Sequence, residues 1–244
     1  VQQFISVNSD RLALTHAKIV DGTGSPSMTD QTILIIKGKI AKLGNNISVP
    51  ANAKTIDCSG KTIIPGMVMM HEHLFYGERV APYYLGLAMP FSFPRLYLAG
   101  GVTTMRTTGT VEPQTDLNIR NDINAGKTVG PNIDVTGQYI EQAGLPIPEM
   151  LYIKNPEDAT KEVNYWADMG CTSFKLYMDL TKAEAKAAID AAHKRGIKVT
   201  GHLCSVTYRE AAELGIDNLE HGFMVSTDFV PGKKENECAA QGGT

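Results

Sequence analysis

Residues 62–73 read TIIPGMVMMHEH, an apolar run that ends in two histidines separated by one residue. Side chains two positions apart on a strand point to the same side, so the imidazoles of His71 and His73 can reach one metal ion. Barrel enzymes build their active sites at the C-terminal ends of parallel strands. The segment therefore predicts the first strand of an α/β fold, with a metal site at its C-terminal end.

After residue 61, six strand-like runs alternate with helical patterns, which is typical of βα units and a parallel sheet. The predicted strands are Ile63–Met70, Val102–Thr107, Asn132–Thr136, Thr172–Tyr177, Lys198–His202 and Asn218–His221. Three helices have clear boundary signals. Asn155 is the N-cap of a helix that Gly170 ends, and Thr181 with Glu184 forms the capping box of a second helix. Residues 208–214 form the third.

Residues 10–60 have a different rhythm from the rest of the chain. Short β-branched runs are separated by Gly, Asn, Asp and Pro, which indicates hairpins. We expect a small antiparallel sheet module without helices over residues 1–60. The predicted organisation continues with an α/β barrel over residues 61–230 and a polar, glycine-ended tail or loop over residues 231–244.

Three further positions fall at the ends of the predicted strands. Lys175 lies inside an apolar strand, and the period of two puts it on the same face as Tyr177. His202 and His221 each lie at the end of a later strand. A single histidine or lysine of this kind is usually structural. Together with His71 and His73, however, they all fall at the strand ends where a barrel builds its site.

Composition excludes several classes of partner. The formal net charge is −3 without a run of like charges, which argues against binding to nucleic acids or anionic membranes. No stretch of 18 apolar residues is present, so no membrane span is predicted. The four cysteines lie far apart and are expected to be reduced thiols. A cytoplasmic location is the expectation that follows.

Several motifs resemble the amidohydrolase superfamily, in the branch that contains imidazolonepropionase-like enzymes and prolidase-like dipeptidases. The similarity extends over nearly the whole chain. It rests on the strand ending in His71 and His73, on GVTTMR at residues 101–106, on Lys175, on His202 after a glycine, and on EHG at residues 220–222. The resemblance implies a metal-dependent hydrolase with a TIM-like (β/α)8 barrel flanked by a β-sandwich, part of which residues 1–60 would supply.

The same resemblance implies a set of metal ligands. His71 and His73 would bind the more buried of two zinc ions, and His202 with His221 would bind the other. Lys175 would be carboxylated and bridge the two ions. A hydroxide held by the metal pair would then attack an amide, a dipeptide or a cyclic amide. Lys175 and Tyr177 are the expected catalytic side chains.

Substrate contacts are expected from two side chains near these ligands. Tyr177 shares the face of Lys175 and can donate a hydrogen bond to a substrate oxygen, although packing inside the barrel is an alternative. Arg106 ends the second strand and can pair with a substrate carboxylate or, alternatively, form a buried structural ion pair. Residues 139–150 are rich in Gly, Pro and Met and are predicted to form a loop over the pocket.

The resemblance also implies an aspartate at the end of an eighth strand, which this sequence does not provide. The chain ends at residue 244, which leaves too few residues after position 60 for the roughly 250 of a complete barrel. Asp228 follows His221 too closely to be that acid. We therefore expect a barrel truncated after about six strands. Its open edges would favour a homo-oligomer.

Two alternative functions remain open from the sequence. The first is a mononuclear deaminase or cyclic-amide hydrolase of the same superfamily, in which Lys175 would have no ligand role. The second is a catalytically inactive metal-binding fragment, which the lack of the eighth-strand aspartate favours.

Overall fold

A computed structural model describes residues 1–142 and 144–239 of the chain. Two compact units are present, one formed by Val1–Met67 and one that begins at Val68. Residues 231–239 contain no helix or strand. The last five residues of the predicted tail, 240–244, lie outside the described residues.

The first unit is one five-stranded mixed sheet. Its strands are β1 (Arg11–Ile19), β2 (Met28–Ile36), β3 (Lys39–Gly44), β4 (Lys54–Asp57) and β5 (Thr62–Ile63). β1, β2 and β3 pair antiparallel, as predicted, whereas β4 and β5 pair parallel to β1. The prediction of a wholly antiparallel module was therefore wrong, because the connections before β4 and β5 return the chain to the other side of β1 in the same direction.

The second unit is an α/β structure with parallel strands. Its strands are β6 (Met67–Glu72), β7 (Phe75–Val80), β8 (Tyr83–Ala88), β9 (Val102–Thr107), β10 (Asn132–Asp134), β11 (Thr136–Ile140), β12 (Ser173–Leu176), β13 (Lys198–Gly201) and β14 (Asn218–Leu219). One sheet has the order β10-β9-β6, and another has the parallel order β11-β12-β13-β14. These sheets do not close into a barrel within the described residues.

Two features of this unit were not predicted. The third predicted strand is divided into β10 and β11, which belong to different sheets. β7 and β8 form an antiparallel hairpin directly after His73, with register pairs from Phe75–Ala88 to Val80–Tyr83. The hairpin therefore stands beside the first strand end of the predicted site.

Five helices connect these strands: α1 (Ser92–Ala99), α2 (Pro113–Asn124), α3 (Pro156–Met169), α4 (Lys182–Lys194) and α5 (Tyr208–Leu214). The predicted boundaries of the last three are confirmed. The Asn155 side chain accepts from the backbone of Asp158, and Gly170 ends α3 in the left-handed conformation. Thr181 and Glu184 form both hydrogen bonds of the capping box. No helix among the described residues is long and apolar enough to cross a bilayer.

The cysteines differ from the expectation of four reduced thiols. Cys58 and Cys171 are free and buried, as expected. Cys204 and Cys238, however, form a disulfide with a Cα–Cα distance of 4.8 Å. The reduced-thiol interpretation was wrong for this pair because residues 222–238 turn back towards the end of β13, where the hydroxyl of Thr227 donates to the carbonyl of Cys204.

Candidate active site

The structure brings together four histidines and a lysine from the ends of four strands. His71 lies at the end of β6 and His73 directly follows that strand, Lys175 lies in β12, and His202 and His221 follow β13 and β14. The ring centroid of His71 lies 5.6 Å from that of His73 and 4.5 Å from that of His221. The rings of His202 and His221 are 4.4 Å apart. We call this group the histidine cluster.

Lys175 is the second-largest fully buried side chain of the described chain, with 1% of its surface exposed. Its Nζ lies 5.6 Å from the ring centre of Tyr139 and 5.8 Å from that of Tyr177. It forms no hydrogen bond or ion pair with a carboxylate of any described residue. Burial and the nearby charge of Arg106 lower the pKa of Lys175 to about 8, against the opposing effect of Glu220.

Hydrogen bonds fix the orientation of two of the imidazoles. His73 Nδ1 lies 3.1 Å from the carbonyl oxygen of Gly109, which only accepts, so this nitrogen carries the proton. His71 Nδ1 lies 2.6 Å from Oε2 of Glu220 and likewise donates to it. In a neutral imidazole whose Nδ1 carries the proton, Nε2 is left as an acceptor. A histidine held in this way by its other nitrogen is the usual arrangement for a metal ligand.

Burial also favours the neutral form of three histidines of the cluster. Desolvation, assisted by the charges of neighbouring groups, lowers the pKa of His73 and of His202 to about 4. The pKa of His221 is lowered for the same reasons. A neutral imidazole has a lone pair available for a metal, whereas an imidazolium has none.

Glu220 is the functional side chain that sequence reasoning missed. It is 5% exposed, and its Oε1 accepts from Arg106 Nη2 at 2.8 Å and from the Thr200 hydroxyl. Burial acts to raise the pKa of Glu220, but the hydrogen bonds from His71 and Thr200 and the charge of Lys175 outweigh it and hold the pKa at about 2. The available signal was its place in the buried strand end next to His221.

Arg106 has an intramolecular partner rather than an open position for substrate. It is 8% exposed, and besides its ion pair with Glu220 its Nε donates to the carbonyl of Met70 at 3.1 Å. The structure thus favours the buried ion pair over the substrate contact. Because the guanidinium is already engaged by a carboxylate, a substrate carboxylate would have to displace Glu220.

Tyr177 lies next to the histidine cluster, with its ring 5.1 Å from that of His202 and 4.8 Å from that of Tyr139.

Asp228 lies elsewhere, accepting from the backbone amides of Tyr208 and Arg209 at the start of α5. His221 has a φ of 61°, a left-handed conformation that residues other than glycine rarely adopt and that is frequent at functional sites.

The donor set fits divalent metal ions, since imidazole nitrogens are common ligands of such ions. Among residues 1–142 and 144–239, however, no three His, Cys, Asp or Glu side chains are already arranged closely enough to hold an ion. Side-chain rotation and a further ligand from Lys175 would be needed to complete the coordination.

Comparison with known proteins identifies several hydrolases. The chain is 28% identical over 200 residues to a dihydroorotase of Elusimicrobium minutum, across 80% of this chain and 41% of that protein. It is 27% identical over 208 residues to an imidazolonepropionase of Paenarthrobacter aurescens, across 72% of this chain and 49% of that protein. The chain therefore spans half or less of the length of these relatives. No protein-family model matches it.

Solved structures with a similar fold are also hydrolases by their descriptions. A protein of Bifidobacterium longum described as a prolidase is 26% identical, with a TM-score of 0.69 over 87% of this chain and 54% of its own. A Xaa-Pro dipeptidase with bound methionine is 20% identical, with a TM-score of 0.70 over 87% of this chain and 61% of its own. The second match shows the fold alone.

Proposed function

The chain belongs to the amidohydrolase superfamily, and from this premise we propose that it is a metal-dependent hydrolase of carbon–nitrogen bonds. The substrate class is an amide, a dipeptide or a cyclic amide, in line with the relatives named as imidazolonepropionase and dihydroorotase. The observation that carries the proposal is the meeting of four histidines and a buried lysine at the ends of four strands.

Two divalent ions, with zinc as the expected metal, would be held by this chain's own residues. His71 and His73 would hold one ion, and His202 and His221 would hold the other. When bound, such ions would activate water and polarise the scissile carbonyl. The neutral imidazoles and the oriented Nε2 atoms support this assignment.

Lys175 would join the two halves of the site as a carbamate. Its amine nitrogen would bond to the carbon of CO₂ and release one proton, leaving a carboxylate group on the side chain. The burial of Lys175 without a carboxylate partner supports this proposal, because a buried ammonium is disfavoured and the neutral amine is the form that reacts. A mononuclear deaminase would have no use for a lysine here.

The remaining residues of the site would orient the ligands and the substrate. Glu220 holds His71 through Nδ1, and the carbonyl of Gly109 holds His73 in the same way. Tyr177 has its ring beside His202, from where its hydroxyl would donate a hydrogen bond to the substrate's carbonyl oxygen. Arg106 holds the Glu220 carboxylate in place through its hydrogen bond to Oε1.

The test is the metal content of the full chain, reconstituted with zinc, together with hydrolysis of a Xaa-Pro dipeptide and a cyclic amide. We expect about two ions per chain. His71→Ala and His202→Ala should each remove an ion and lower hydrolysis by at least about 100-fold. His193→Ala is the matched control, because His193 lies on α4 and pairs with Asp217 outside the cluster.

The other outcomes separate the alternatives. One ion per chain, without the mass of an added CO₂, would favour the mononuclear enzyme. Bound metal without hydrolysis of either substrate would favour the inactive metal-binding fragment. Unchanged metal content in both histidine variants would contradict the metal site itself.

We also propose that the chain self-associates. β6 lies at the end of its three-stranded sheet, and its Val68 and Met70 are 58% and 55% exposed. An apolar strand at a sheet edge favours pairing with another chain. Light scattering at micromolar concentration should detect a dimer or larger species, and a stable monomer would contradict the proposal.

A further inference from the structure

A cavity of about 260 Å³ adjoins the histidine cluster on the side of His73. Its walls include Phe75 and Tyr84 of the β7–β8 hairpin, together with Val111 and Tyr139. The ring of Phe75 lies 4.9 Å from that of His73, so the cavity begins directly beside a proposed metal ligand. A group bound there would sit next to the reacting bond of a substrate at the cluster.

The lining of this cavity is apolar and aromatic. Of the described residues that form it, none is Asp, Glu, Lys or Arg. Val111 and Tyr139 are buried, and Ile147 and Tyr177 pack against them in the same small apolar cluster. A charged group would lose its hydration in this cavity without gaining an ionic partner, which is costly. An uncharged apolar group would instead gain from burial.

The hairpin that forms one wall is held firmly in place. The backbone amide of Tyr84 donates to the carbonyl of Pro146 at 2.8 Å, and that of Gly86 donates to Glu149 Oε1 at 3.2 Å. A Cβ on Gly86 would lie 2.5 Å from Cγ2 of Val111, which shows how closely the hairpin packs there. Ligand pockets are usually preformed in this way.

The size of the cavity restricts what it can hold. A dry cavity of about 150 Å³ lined by Leu, Ile and Phe binds benzene, so about 260 Å³ accepts an aromatic ring with its linking carbon or a branched aliphatic chain. The aromatic walls favour a ring, because Tyr139 and Tyr177 offer edge and face contacts.

We infer that this cavity is the specificity pocket of the enzyme and receives a bulky, uncharged side chain of the substrate, aromatic by preference. The inference rests on the proposed hydrolase function for its placement beside the reacting bond. It narrows the substrate class to amides or dipeptides that carry an apolar group next to the scissile bond. The hairpin and Ile147 are its specificity-determining elements.

Binding of three probes to the full chain by isothermal titration calorimetry tests the inference without requiring turnover. The probes are N-acetylphenylalanine amide, N-acetylaspartate amide and N-acetylglycine amide. We expect the phenylalanine probe to bind at least about tenfold more tightly than the other two, since burial of a phenyl group is worth more than one factor of ten. Equal binding of all three, or no binding of the phenylalanine probe, would overturn the inference.

Variants of Ile147 locate the binding to this cavity. Ile147→Asp should remove the preference for the phenylalanine probe, whereas Ile147→Val, the matched control, should keep it. If Ile147→Asp fails to fold, as judged by circular dichroism, Ile147→Phe provides the test, because it fills the cavity without a charge and should weaken the phenylalanine probe at least threefold. A preference unchanged in the folded variants would place the binding elsewhere and contradict the inference.

Failure of the pocket and failure of the proposed function give different results. Hydrolysis and metal binding without a preference for the phenylalanine probe would retain the function and reject the pocket. A strong preference that depends on Ile147, without metal or hydrolysis, would retain an apolar binding pocket and reject the hydrolase.

Discussion

The polar side and the apolar side of the candidate site each lie beside a buried carboxylate, and the pKa values of these two acids are shifted in opposite directions. On the polar side, Glu220 pairs with His71 and Arg106, and the hydrogen bonds from His71 and Thr200 with the charge of Lys175 hold its pKa at about 2 against the effect of burial. On the apolar side, near Tyr139, Asp116 is 3% exposed, its Oδ2 has no hydrogen-bond partner among the described residues, and burial raises its pKa to about 7. Burial alone therefore does not decide the charge state of an acid. The partners decide it.

The largest effect is expected from Glu220→Ala, which would remove the carboxylate that joins His71 and Arg106 on the polar side. Arg106 would be left buried without its carboxylate, and His71 would lose its hydrogen-bond partner. Removing one member of a buried pair costs about 3–5 kcal/mol. Denaturant unfolding should show a loss of that size.

The control for Glu220→Ala is Asp190→Ala, which breaks an ion pair with Lys186 whose two side chains are about half exposed. Its cost should not exceed about 0.5 kcal/mol. Equal losses in the two variants would show that the Glu220 network does not stabilise the fold.

Asp116→Asn would remove the buried acid of the apolar side, whose Oδ2 has no hydrogen-bond partner among the described residues. Since the pKa of Asp116 is raised by folding from 3.8 to about 7, its ionisation destabilises the fold progressively as the pH rises between these values. The variant should therefore be more stable than the parent by about 2–4 kcal/mol at pH 8 and equal to it at pH 4.

The measurement for this second prediction is urea unfolding at several pH values. Asp122→Asn, which changes an exposed position on the same helix, is the matched control. A stability difference for Asp116→Asn that does not change between pH 4 and pH 8 would contradict the assigned shift.

Gly86→Ala tests how closely the hairpin packs on the apolar side. The new Cβ would lie 2.5 Å from Val111, whose branched side chain has little freedom to move. Overpacking of this kind costs about 1–3 kcal/mol. Gly77→Ala is the matched control. The three heavy atoms nearest to its Cβ would all belong to the side chain of Tyr84, which is 45% exposed and has room to move aside.

Thermal unfolding of the two glycine variants gives the comparison. We expect Gly86→Ala to melt clearly below Gly77→Ala. The reverse order would mean that the hairpin does not pack on Val111 as closely as the structure shows.

The smallest effect is expected from Tyr139→Phe. Tyr139 is 7% exposed, and its hydroxyl forms no hydrogen bond with a described residue. The substitution keeps the ring, which makes the packing contacts, and removes only the hydroxyl. The free energy of unfolding should therefore change by about 0.5 kcal/mol or less. A cost above about 2 kcal/mol would reveal a hydrogen bond that the apolar side depends on.

Much of the second unit could be predicted from the sequence because its signals are local. Val102–Thr107 is a strand with the predicted bounds, and Asn155, Gly170 and Thr181 mark helix ends as predicted. Hydrophobic period, capping residues and glycine act within a few residues of one another, so each can be recognised without knowledge of the fold.

The errors have the opposite origin. The parallel pairing of β4 with β1 joins Leu12 to Lys54, and the disulfide joins Cys204 to Cys238. In each pair, the residues around one member contain no signal that identifies the other member. The hairpin was missed for a different reason, since residues 75–88 show no regular alternation of apolar and polar residues and contain two glycines and Pro82.

The sequence by itself determined that histidines and a lysine lie at the ends of parallel strands, because strand period and chain order fix those positions. Only the tertiary structure decided how they are held. Glu220 meets His71 and Arg106 from 149 and 114 residues away, and the hairpin turns back to enclose a cavity beside His73. Such contacts depend on how separate strands pack together, which no local pattern in the chain specifies.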